Sequence, residues 1–280
     1  MSIKGVDESK CTACGACVEE CPALCFRVDG GKEGGAGDSA VVAFSNERNW
    51  CIACGHCVAV CPVDAVLHEG FGDAPEPALA GLGGGLRSAG DFLRFLKSKR
   101  SVRRYSPGRL AREELDVVLE AVRYAPSAKN AREFGVTLVD DPEMVRELSE
   151  EVQRVISGHP ALGVEYGEKF NARLAAGRDP VFFNAPVVLV LHSRRGTGFE
   201  ATDAGIALTY ASLAAQAAGI GSCWVGLAQV ALNQDRRLRK RFGVGGRVWG
   251  VLALGRPAVK YRRTPPRAPL RVGNVPEREK

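Results

Sequence analysis

Hydrophobic positions beyond residue 91 follow both helical and strand spacing. Leu115, Val118, Leu119 and Val122 recur at the spacing of one helical face. The runs GVTLV, at 135–139, and APVVLVLH, at 185–192, are apolar and β-branched, which is typical of strands. The pattern predicts a mixed α and β domain that starts near Asp91.

A second pattern is a long uncharged segment, residues 204–234, which is long enough to cross a bilayer. Polar Gln216, Gln229 and Asn233 argue against a membrane helix, and the run GIGS at 219–222 breaks the segment. Thr202 and Asp203 are expected to cap a helix at its start. We predict a buried helix, a tight turn and a further apolar segment, with no membrane partner.

The chain has 280 residues, which predicts more than one domain. Residues 71–90 are rich in Gly, Pro and Ala without helical or strand periodicity, so we interpret them as a linker. This gives a first domain at 1–70 and a second at 91–280. The first ten residues contain no apolar signal region, which predicts a cytoplasmic protein.

The net charge of +6 raises the question of nucleic acid binding. No aromatic-rich basic stripe or named nucleic-acid motif accompanies the charge, so we expect no such partner. The runs GLGGGL at 81–86 and GVGGRV at 243–248 both lack the last glycine of Gly-x-Gly-x-x-Gly. A Rossmann nicotinamide domain is therefore not supported.

Two cysteine runs carry the clearest chemical signal. CTACGACVEECP, at 11–22, and CIACGHCVAVCP, at 51–62, share the spacing Cys-x2-Cys-x2-Cys-x3-Cys-Pro, which is typical of bacterial iron-sulfur clusters. Gly15 and Gly55 permit the tight curl that three close thiolates need. Structural zinc sites and a disulfide scaffold are the alternatives.

The fourth cysteine of each run lies too far round to close its own cluster. In paired runs it ligates the other cluster, which predicts two sets of ligands. They are Cys11, Cys14, Cys17 and Cys61 for cluster 1, and Cys51, Cys54, Cys57 and Cys21 for cluster 2. The segment between the runs predicts a hairpin with an enlarged tip.

Three further residues, two cysteines outside the ligand sets and one histidine, also need an interpretation. Cys25 aligns with Ala65 when the runs are superposed, so we expect a small buried residue there. Cys223 lies outside both runs, and burial is again the simpler interpretation. His56 replaces Ala16 in the second run and either tunes the cluster or lies in solvent.

Two segments of the second domain suit an anionic, planar ligand. Lys99, Arg100, Ser101 and Arg103 lie within five residues, a density that suits a phosphate, although a solvated basic turn is the alternative. In APSAKN, at 125–130, Pro126 and the small Ser127 and Ala128 allow a flat ligand to approach the backbone. Asn130 offers both a donor and an acceptor.

Residues from Asp91 onward resemble the FMN-dependent nitroreductase family, and the first seventy residues resemble a two-cluster ferredoxin. The motifs that carry the first resemblance are KRSVR at 99–103, APSAKN at 125–130, APVVLVL at 185–191, GIGSCWVG at 219–226 and LGRP at 254–257. The resemblance implies an α+β fold. A small two-cluster ferredoxin-like domain would precede an α/β sandwich with a central mixed sheet flanked by helices.

The resemblance also implies roles for residues. Lys99, Arg100, Ser101, Arg103 and Arg267 would hold the FMN phosphate and ribityl chain, and Pro126, Ser127, Ala128 and Asn130 would line the isoalloxazine. Trp224, Val225 and Gly226 would face the reactive edge of the flavin. Two departures are Lys99, where the family usually has Arg, and NAREF at 130–134, which places Arg132 near the pocket.

The combined resemblance implies an iron-sulfur flavoprotein oxidoreductase. Electrons from a low-potential redox protein or NAD(P)H would pass through two 4Fe-4S clusters to FMN. A small conjugated electrophile, such as a nitroaromatic or a quinone, would be reduced without a catalytic side chain. The alternative is an electron-transfer adaptor that relays electrons to a partner protein.

The same resemblance implies a homodimer. The C-terminal segment 255–280 contains five prolines and many basic residues, so it is expected to cross the partner as an extended arm that brings Arg267 to FMN. A disordered tail is the alternative interpretation.

Overall fold

A computed structural model of the chain describes residues 2–30, 40–69, 88–194, 196, 198–259, 261 and 271–273. Several predicted features fall outside these ranges, among them most of the predicted C-terminal arm at 255–280. Most of the predicted linker, residues 71–87, lies outside the described residues, and so does Arg267.

The first part of the chain folds around the two cysteine runs. Its elements are β1 (Ser2–Val6), α1 (Ala16–Glu19), β2 (Phe26–Asp29), β3 (Val41–Phe44), α2 (His56–Val60) and β4 (Val66–Glu69). β1 pairs antiparallel with β4, and β2 pairs antiparallel with β3. The second pairing confirms the predicted hairpin between the runs, whose tip at 31–39 lies outside the described residues.

The two runs repeat the same backbone conformation. Gly15 and Gly55 precede the short helices α1 and α2 with φ of 75° and 76°. Ala13 and Ala53, two residues earlier, also have positive φ, at 53° and 49°. These left-handed residues curl the backbone of each cysteine run tightly, as the glycines in the sequence predict.

The second part alternates helices with strands. Its elements are α3 (Ala89–Ser98), α4 (Arg112–Tyr124), β5 (Gly135–Val139), α5 (Pro142–Ser157), α6 (Pro160–Ala175), β6 (Val187–Ser193), α7 (Glu200–Ala217), β7 (Gly221–Trp224), α8 (Gly226–Gln234), α9 (Arg236–Arg241) and β8 (Arg247–Gly255). The described strands form a sheet in the order β5-β6-β8-β7, with antiparallel neighbours. A parallel bridge between Ser101 and Ser222 extends the sheet beyond β7.

Helices cover both faces of this sheet. Val188 and Val190 of β6 pack into one core with residues of α5, α8 and α9. Leu189 and Leu191, which alternate with them, pack into a second core with α4 and α7. Because both faces are covered, the central strand is apolar at nearly every position. This arrangement confirms the predicted α/β sandwich.

The uncharged segment forms a buried helix, a turn and further buried elements, as predicted. No helix in the described part of the chain is long and apolar enough to span a membrane. The predicted start of this helix was wrong, because α7 begins at Glu200 with Phe199 as its N-cap. Asp203 does not cap the helix and instead accepts a hydrogen bond from the amide of Ala128 in another segment.

The sandwich should depend on the side chain of Leu189, which is fully buried between β6 and the helices α4 and α7. We expect Leu189→Ala to lower the free energy of unfolding by about 2–5 kcal/mol, because it leaves a cavity. Leu93→Ala removes the same atoms from a side chain that is 50% exposed and should cost less than about 1 kcal/mol. Equal losses in denaturant titrations of the two variants would contradict the assigned packing.

Candidate cofactor sites

The structure brings three cysteines of the first run to one cysteine of the second. Cys11, Cys14, Cys17 and Cys61 line a small cavity. Val6, Val42 and Ala65 form part of its apolar wall. Cys17 is buried and Cys14 is exposed, so the cavity gathers the four cysteines that we expect to hold cluster 1 and leaves one of them open to solvent.

The remaining run cysteines form a second neighbourhood. Burial, together with the nearby thiolates of Cys54, Cys21 and Cys51, raises the pKa of Cys57 to about 11. Cys21, from the first run, therefore lies near Cys57 of the second run, and we expect these two residues to ligate cluster 2 with Cys51 and Cys54. Because thiolates are the ligating form, loading of either site should release protons.

The two cysteine sets carry the ligand chemistry of iron-sulfur clusters, and the first set lines a shared cavity. No group of three or more His, Cys, Asp or Glu side chains among the described residues is arranged to hold a metal ion. The thiolates of a 4Fe-4S cluster each bind a different iron atom, so they need not converge on a single point. A 4Fe-4S cluster is therefore compatible with cysteine sets that form no single-ion site among the described residues.

The fourth cysteine of each run receives a backbone hydrogen bond. The amide of Cys25 donates to Sγ of Cys21 at 3.3 Å, and the amide of Ala65 donates to Sγ of Cys61 at 3.2 Å. Cys25 and Ala65 thus occupy equivalent buried positions, which confirms the interpretation of Cys25. His56 is exposed at the start of α2.

The basic segment 99–103 lies at the edge of the large sheet. The amide of Val102 donates to the carbonyl of Ser222 at 3.0 Å. Nζ of Lys99 donates to the carbonyl of Arg100 at 2.9 Å. Burial lowers the pKa of Lys99, and the Arg100 charge lowers it further, while Cys223 opposes this effect.

Two buried side chains on β7 lie beside this basic segment. Burial raises the pKa of the Cys223 thiol, against the opposite effects of Arg103 and Lys99. Oγ of Ser222 is buried and has no hydrogen-bond partner among the described residues. Two cations, Lys99 and Arg103, lie near Cys223 at this edge of the sheet, which fits a site for an anionic group such as a phosphate.

The segment 127–132 is a rigid loop. The amide of Ala128 donates to both carboxylate oxygens of Asp203 at 3.1 Å. The amide of Arg132 donates to Oγ of Ser127 at 3.1 Å, and the amide of Asn130 donates to the carbonyl of Ser127 at 3.0 Å. These bonds hold Asn130 at a φ of 53°, which is strained for a residue other than glycine.

A cavity of about 450 Å³ opens beside this loop, with apolar walls interrupted by Arg123, Arg132 and Asp203. Pro126 and Ser127 form part of its lining, together with Phe134 and Val136 of the following segment. Its volume and apolar walls suit a flat organic molecule.

Asn130 connects the two parts of the chain. Its side-chain Nδ2 donates to the carbonyl of Ala53 at 2.9 Å and lies 3.3 Å from the carbonyl of Ile52. Ile52 and Ala53 lie between Cys51 and Cys54 of the second run. The loop that holds predicted cluster ligands therefore touches the loop predicted to line the flavin ring.

The predicted phosphate and ring segments lie at opposite ends of α7. Near its C-terminal end, Nε2 of Gln216 donates to the carbonyl of Phe95, just before the basic segment. Near its N-terminal end, Asp203 binds Ala128. The 13 residues from Asp203 to Gln216 span about 20 Å of helix. Within one chain, the residues of α7 that contact the two regions are therefore about 20 Å apart.

The third predicted flavin segment follows β7. Trp224 is 43% exposed, whereas Val225 is buried and its amide donates to the carbonyl of Val251 at 2.8 Å. Gly226 is the first residue of α8 and is exposed. The backbone at the start of this helix is accessible to a ligand.

Sequence reasoning missed two of these contacts. Asp203 was interpreted as a helix cap, although it holds a loop 75 residues away. The carbonyls of Ile52 and Ala53 gave no signal, because every residue carries a carbonyl. An acidic residue beside 31 uncharged positions was the available signal for Asp203.

Comparison with protein families matches both parts of the chain. Residues 96–256, more than half of the chain, match the Nitroreductase family, and residues 10–66 match a 4Fe-4S dicluster domain. These matches confirm the predicted combination of a ferredoxin-type part with a nitroreductase-type part.

Individual relatives agree with this assignment. An FMN reductase (NAD(P)H) from Bacillus subtilis is 31% identical over 141 residues, which cover 49% of this chain and 54% of the relative. The fold resembles nitroreductase structures with bound FMN from Bacteroides fragilis and Desulfitobacterium hafniense. Their identities are 23% and 22%, both TM-scores are 0.55, and the matches cover 65% of this chain and 98% and 97% of theirs.

The grouping of the cysteines can be tested by removing the fourth cysteine of the second run. We expect Cys61→Ala to lower the iron and sulfide content by about half and to change the same paramagnetic signal as Cys11→Ala. Cys25→Ala, which removes a buried thiol outside both sets, should retain full iron content. If Cys61→Ala instead altered the signal changed by Cys51→Ala, the crossed ligand sets would be wrong.

Proposed function

Because the chain belongs to the nitroreductase family and is an FMN-dependent oxidoreductase, we propose that it passes electrons through two 4Fe-4S clusters to FMN and so reduces a small conjugated electrophile. Nitroaromatics and quinones are the substrate classes we propose. The clusters would be held by the two crossed cysteine sets, Cys11, Cys14, Cys17 and Cys61, and Cys51, Cys54, Cys57 and Cys21.

One observation carries this proposal. The loop between Cys51 and Cys54 contacts Asn130 in the segment proposed to line the flavin ring. Two cofactor domains in one chain could lie apart, but here their proposed binding loops meet. Contact between the loops is what an electron path through the chain requires.

The chemistry explains why the two domains are joined. FMN, when bound, accepts electrons singly and delivers them in pairs, whereas each cluster passes one electron at a time. The chain's own residues bind and orient these groups. Apolar residues form part of the wall around the first cysteine set, and the hydrogen-bonded 127–132 loop would form one wall of the flavin site.

The flavin residues divide into two proposed groups. Lys99, Arg100, Ser101 and Arg103 bind the phosphate and ribityl chain, with Arg267 joining them from the C-terminal segment. Pro126, Ser127, Ala128 and Asn130 line the ring, and the backbone of Trp224, Val225 and Gly226 faces its reactive edge.

A homodimer would reconcile the separation of these groups. The phosphate and ring segments lie at opposite ends of α7, about 20 Å apart. The five-carbon ribityl chain of one FMN is shorter than this distance. We propose that each FMN takes its phosphate contacts from one chain and its ring contacts from a second copy.

The electron donor is the next part of the proposal. The ferredoxin-type domain favours a low-potential redox protein, since such donors deliver single electrons to clusters. The Bacillus subtilis relative is named as an NAD(P)H enzyme, which makes a nicotinamide cofactor the second candidate. The two donors predict that the rate of FMN reduction depends differently on cluster 2.

The electron path can be tested by removing ligands of cluster 2. With a reduced ferredoxin as donor, Cys51→Ala combined with Cys54→Ala should slow FMN reduction at least about tenfold in stopped-flow absorbance. Cys25→Ala is the control and should reduce FMN at the unaltered rate. An unchanged rate in the double variant would contradict the path through cluster 2.

Reoxidation of the reduced protein by small molecules distinguishes an enzyme from an electron-transfer adaptor. Photoreduced protein should be reoxidised rapidly by at least one member of a panel of nitroaromatics, quinones and halogenated phenols. Inertness toward the whole panel would favour the adaptor.

The proposed phosphate site predicts a pH dependence that involves Lys99. Below its lowered pKa the ammonium is charged and attracts the FMN phosphate, and as the pH rises through that pKa the charge is lost. FMN affinity should then fall by about tenfold. Lys99→Arg stays charged, so its FMN dissociation constant, measured by flavin fluorescence, should not rise over the same pH range. Identical pH profiles would exclude Lys99 from the site.

A further inference from the structure

The contact between the two parts of the chain points to a specific role for Asn130. We propose that the Asn130 side chain docks the Cys51–Cys54 loop onto the nitroreductase domain and so places cluster 2, not cluster 1, next to the flavin. This inference rests on the proposed function, and it assigns a positioning residue and an order of clusters within it.

The direction of the hydrogen bonds supports this role. A side-chain amide nitrogen carries two donor hydrogens, and Nδ2 of Asn130 lies 2.9 Å from the Ala53 carbonyl and 3.3 Å from that of Ile52. Its donor capacity is therefore used on the cluster loop. The amide oxygen is the atom that remains for a ligand on the other side.

The backbone around Asn130 is built to hold the side chain in place. Lys129, Asn130 and Arg132 all have positive φ, between 45° and 54°, although none is glycine. Such strain persists only where surrounding contacts impose it. Here the carboxylate of Asp203 holds Ala128, and Ser127 accepts from both Asn130 and Arg132.

The loop that Asn130 binds is equally restrained. Ala53 is at a φ of 49°, and Gly55 follows at 76°. These residues belong to the curl that gathers the cysteines of the second run. Two preformed loops therefore meet, so docking orders little additional chain.

The contact sets the order of the clusters. Cys51 and Cys54 immediately flank the two carbonyls that Asn130 binds, so the cluster on these thiols is the one adjacent to the contact. Cys14, the corresponding cysteine of the first run, is exposed, whereas Cys54 is half-buried. Cluster 1 is thus the more accessible site for an external one-electron donor.

The electron count follows from this order. Cys11, Cys14, Cys17 and Cys61 would hold the cluster that takes one electron at a time from a reduced ferredoxin-type donor, and Cys51, Cys54, Cys57 and Cys21 would hold the cluster that hands it to the flavin. Two donor molecules, each oxidised by one electron, with protons taken from water, would supply one two-electron reduction.

The test compares two variants of the full-length holoprotein that change the net charge equally. Asn130→Asp keeps the side-chain shape and an acceptor oxygen but removes both donor hydrogens. Lys129→Gln, at the neighbouring exposed position, also lowers the charge by one unit and leaves the contact intact. Asn130→Ala, which adds no charge, provides a second variant with the donor removed.

Three quantities distinguish the possible roles of Asn130. They are the rate of flavin reduction by reduced ferredoxin, the FMN dissociation constant from fluorescence, and the radius of gyration from small-angle X-ray scattering. We expect Asn130→Asp and Asn130→Ala to slow flavin reduction about tenfold and to increase the radius of gyration. Because Asn130 also lines the proposed flavin site, the reduction rate is compared in the FMN-loaded fraction of each variant, and Lys129→Gln should match the unaltered protein in all three quantities.

Other results would overturn the proposal. Weaker FMN binding in Asn130→Asp, with an unaltered reduction rate in the FMN-loaded fraction, would leave Asn130 as a ring residue only and would remove its docking role. Unaltered rate and radius of gyration in both Asn130 variants would show that docking does not need this amide. If the Cys51→Ala, Cys54→Ala variant were also unaffected, the electron path itself would be wrong, which separates failure of the docking role from failure of the proposed function.

Discussion

The hydrogen bonds from Asn130 to the carbonyls of Ile52 and Ala53 join the two functional parts of this chain. They span 77 and 78 residues of sequence and connect a cysteine loop to a loop of the nitroreductase domain. Each bond contributes only about 1 kcal/mol net. These hydrogen bonds matter because of their position, since they lie where the two proposed cofactor sites approach each other.

A buried carboxylate stabilises the loop that carries Asn130. Asp203 is 7% exposed and accepts the amide of Ala128 with both oxygens. It lies in the first turn of α7, where the partial positive charge of the helix end favours an anion. The long helix thereby links the 127–132 loop to the buried core beneath the sheet. A small contact between domains gains rigidity from a large core.

The sequence predicted features that arise from local patterns. The cysteine spacing with Gly15 and Gly55 predicted the two curled loops, because φ near +75° is a property of single residues. The apolar run of β6 and the uncharged segment predicted buried elements, since burial on both faces removes polar alternation. The family resemblance predicted the architecture of the second domain.

Contacts between distant segments were beyond such reasoning. Asp is a residue type that commonly caps helices, and only the folded chain shows that the Asp203 carboxylate accepts a hydrogen bond from the Ala128 amide. Asn130 was assigned to the flavin ring from its motif, while the structure engages its amide with the cluster loop. Nothing in the local sequence of Ile52 and Ala53 marks their carbonyls as acceptors, because the pairing depends on how two domains meet.

The most direct test of the central claim is the position of the cofactors in the anaerobic holoprotein, determined by crystallography. The account predicts that the flavin ring lies against the 126–130 segment and that the cluster bound by Cys51, Cys54, Cys57 and Cys21 is the nearer of two clusters. A flavin ring remote from Asn130, or a first cluster nearer to the ring than the second, would contradict it.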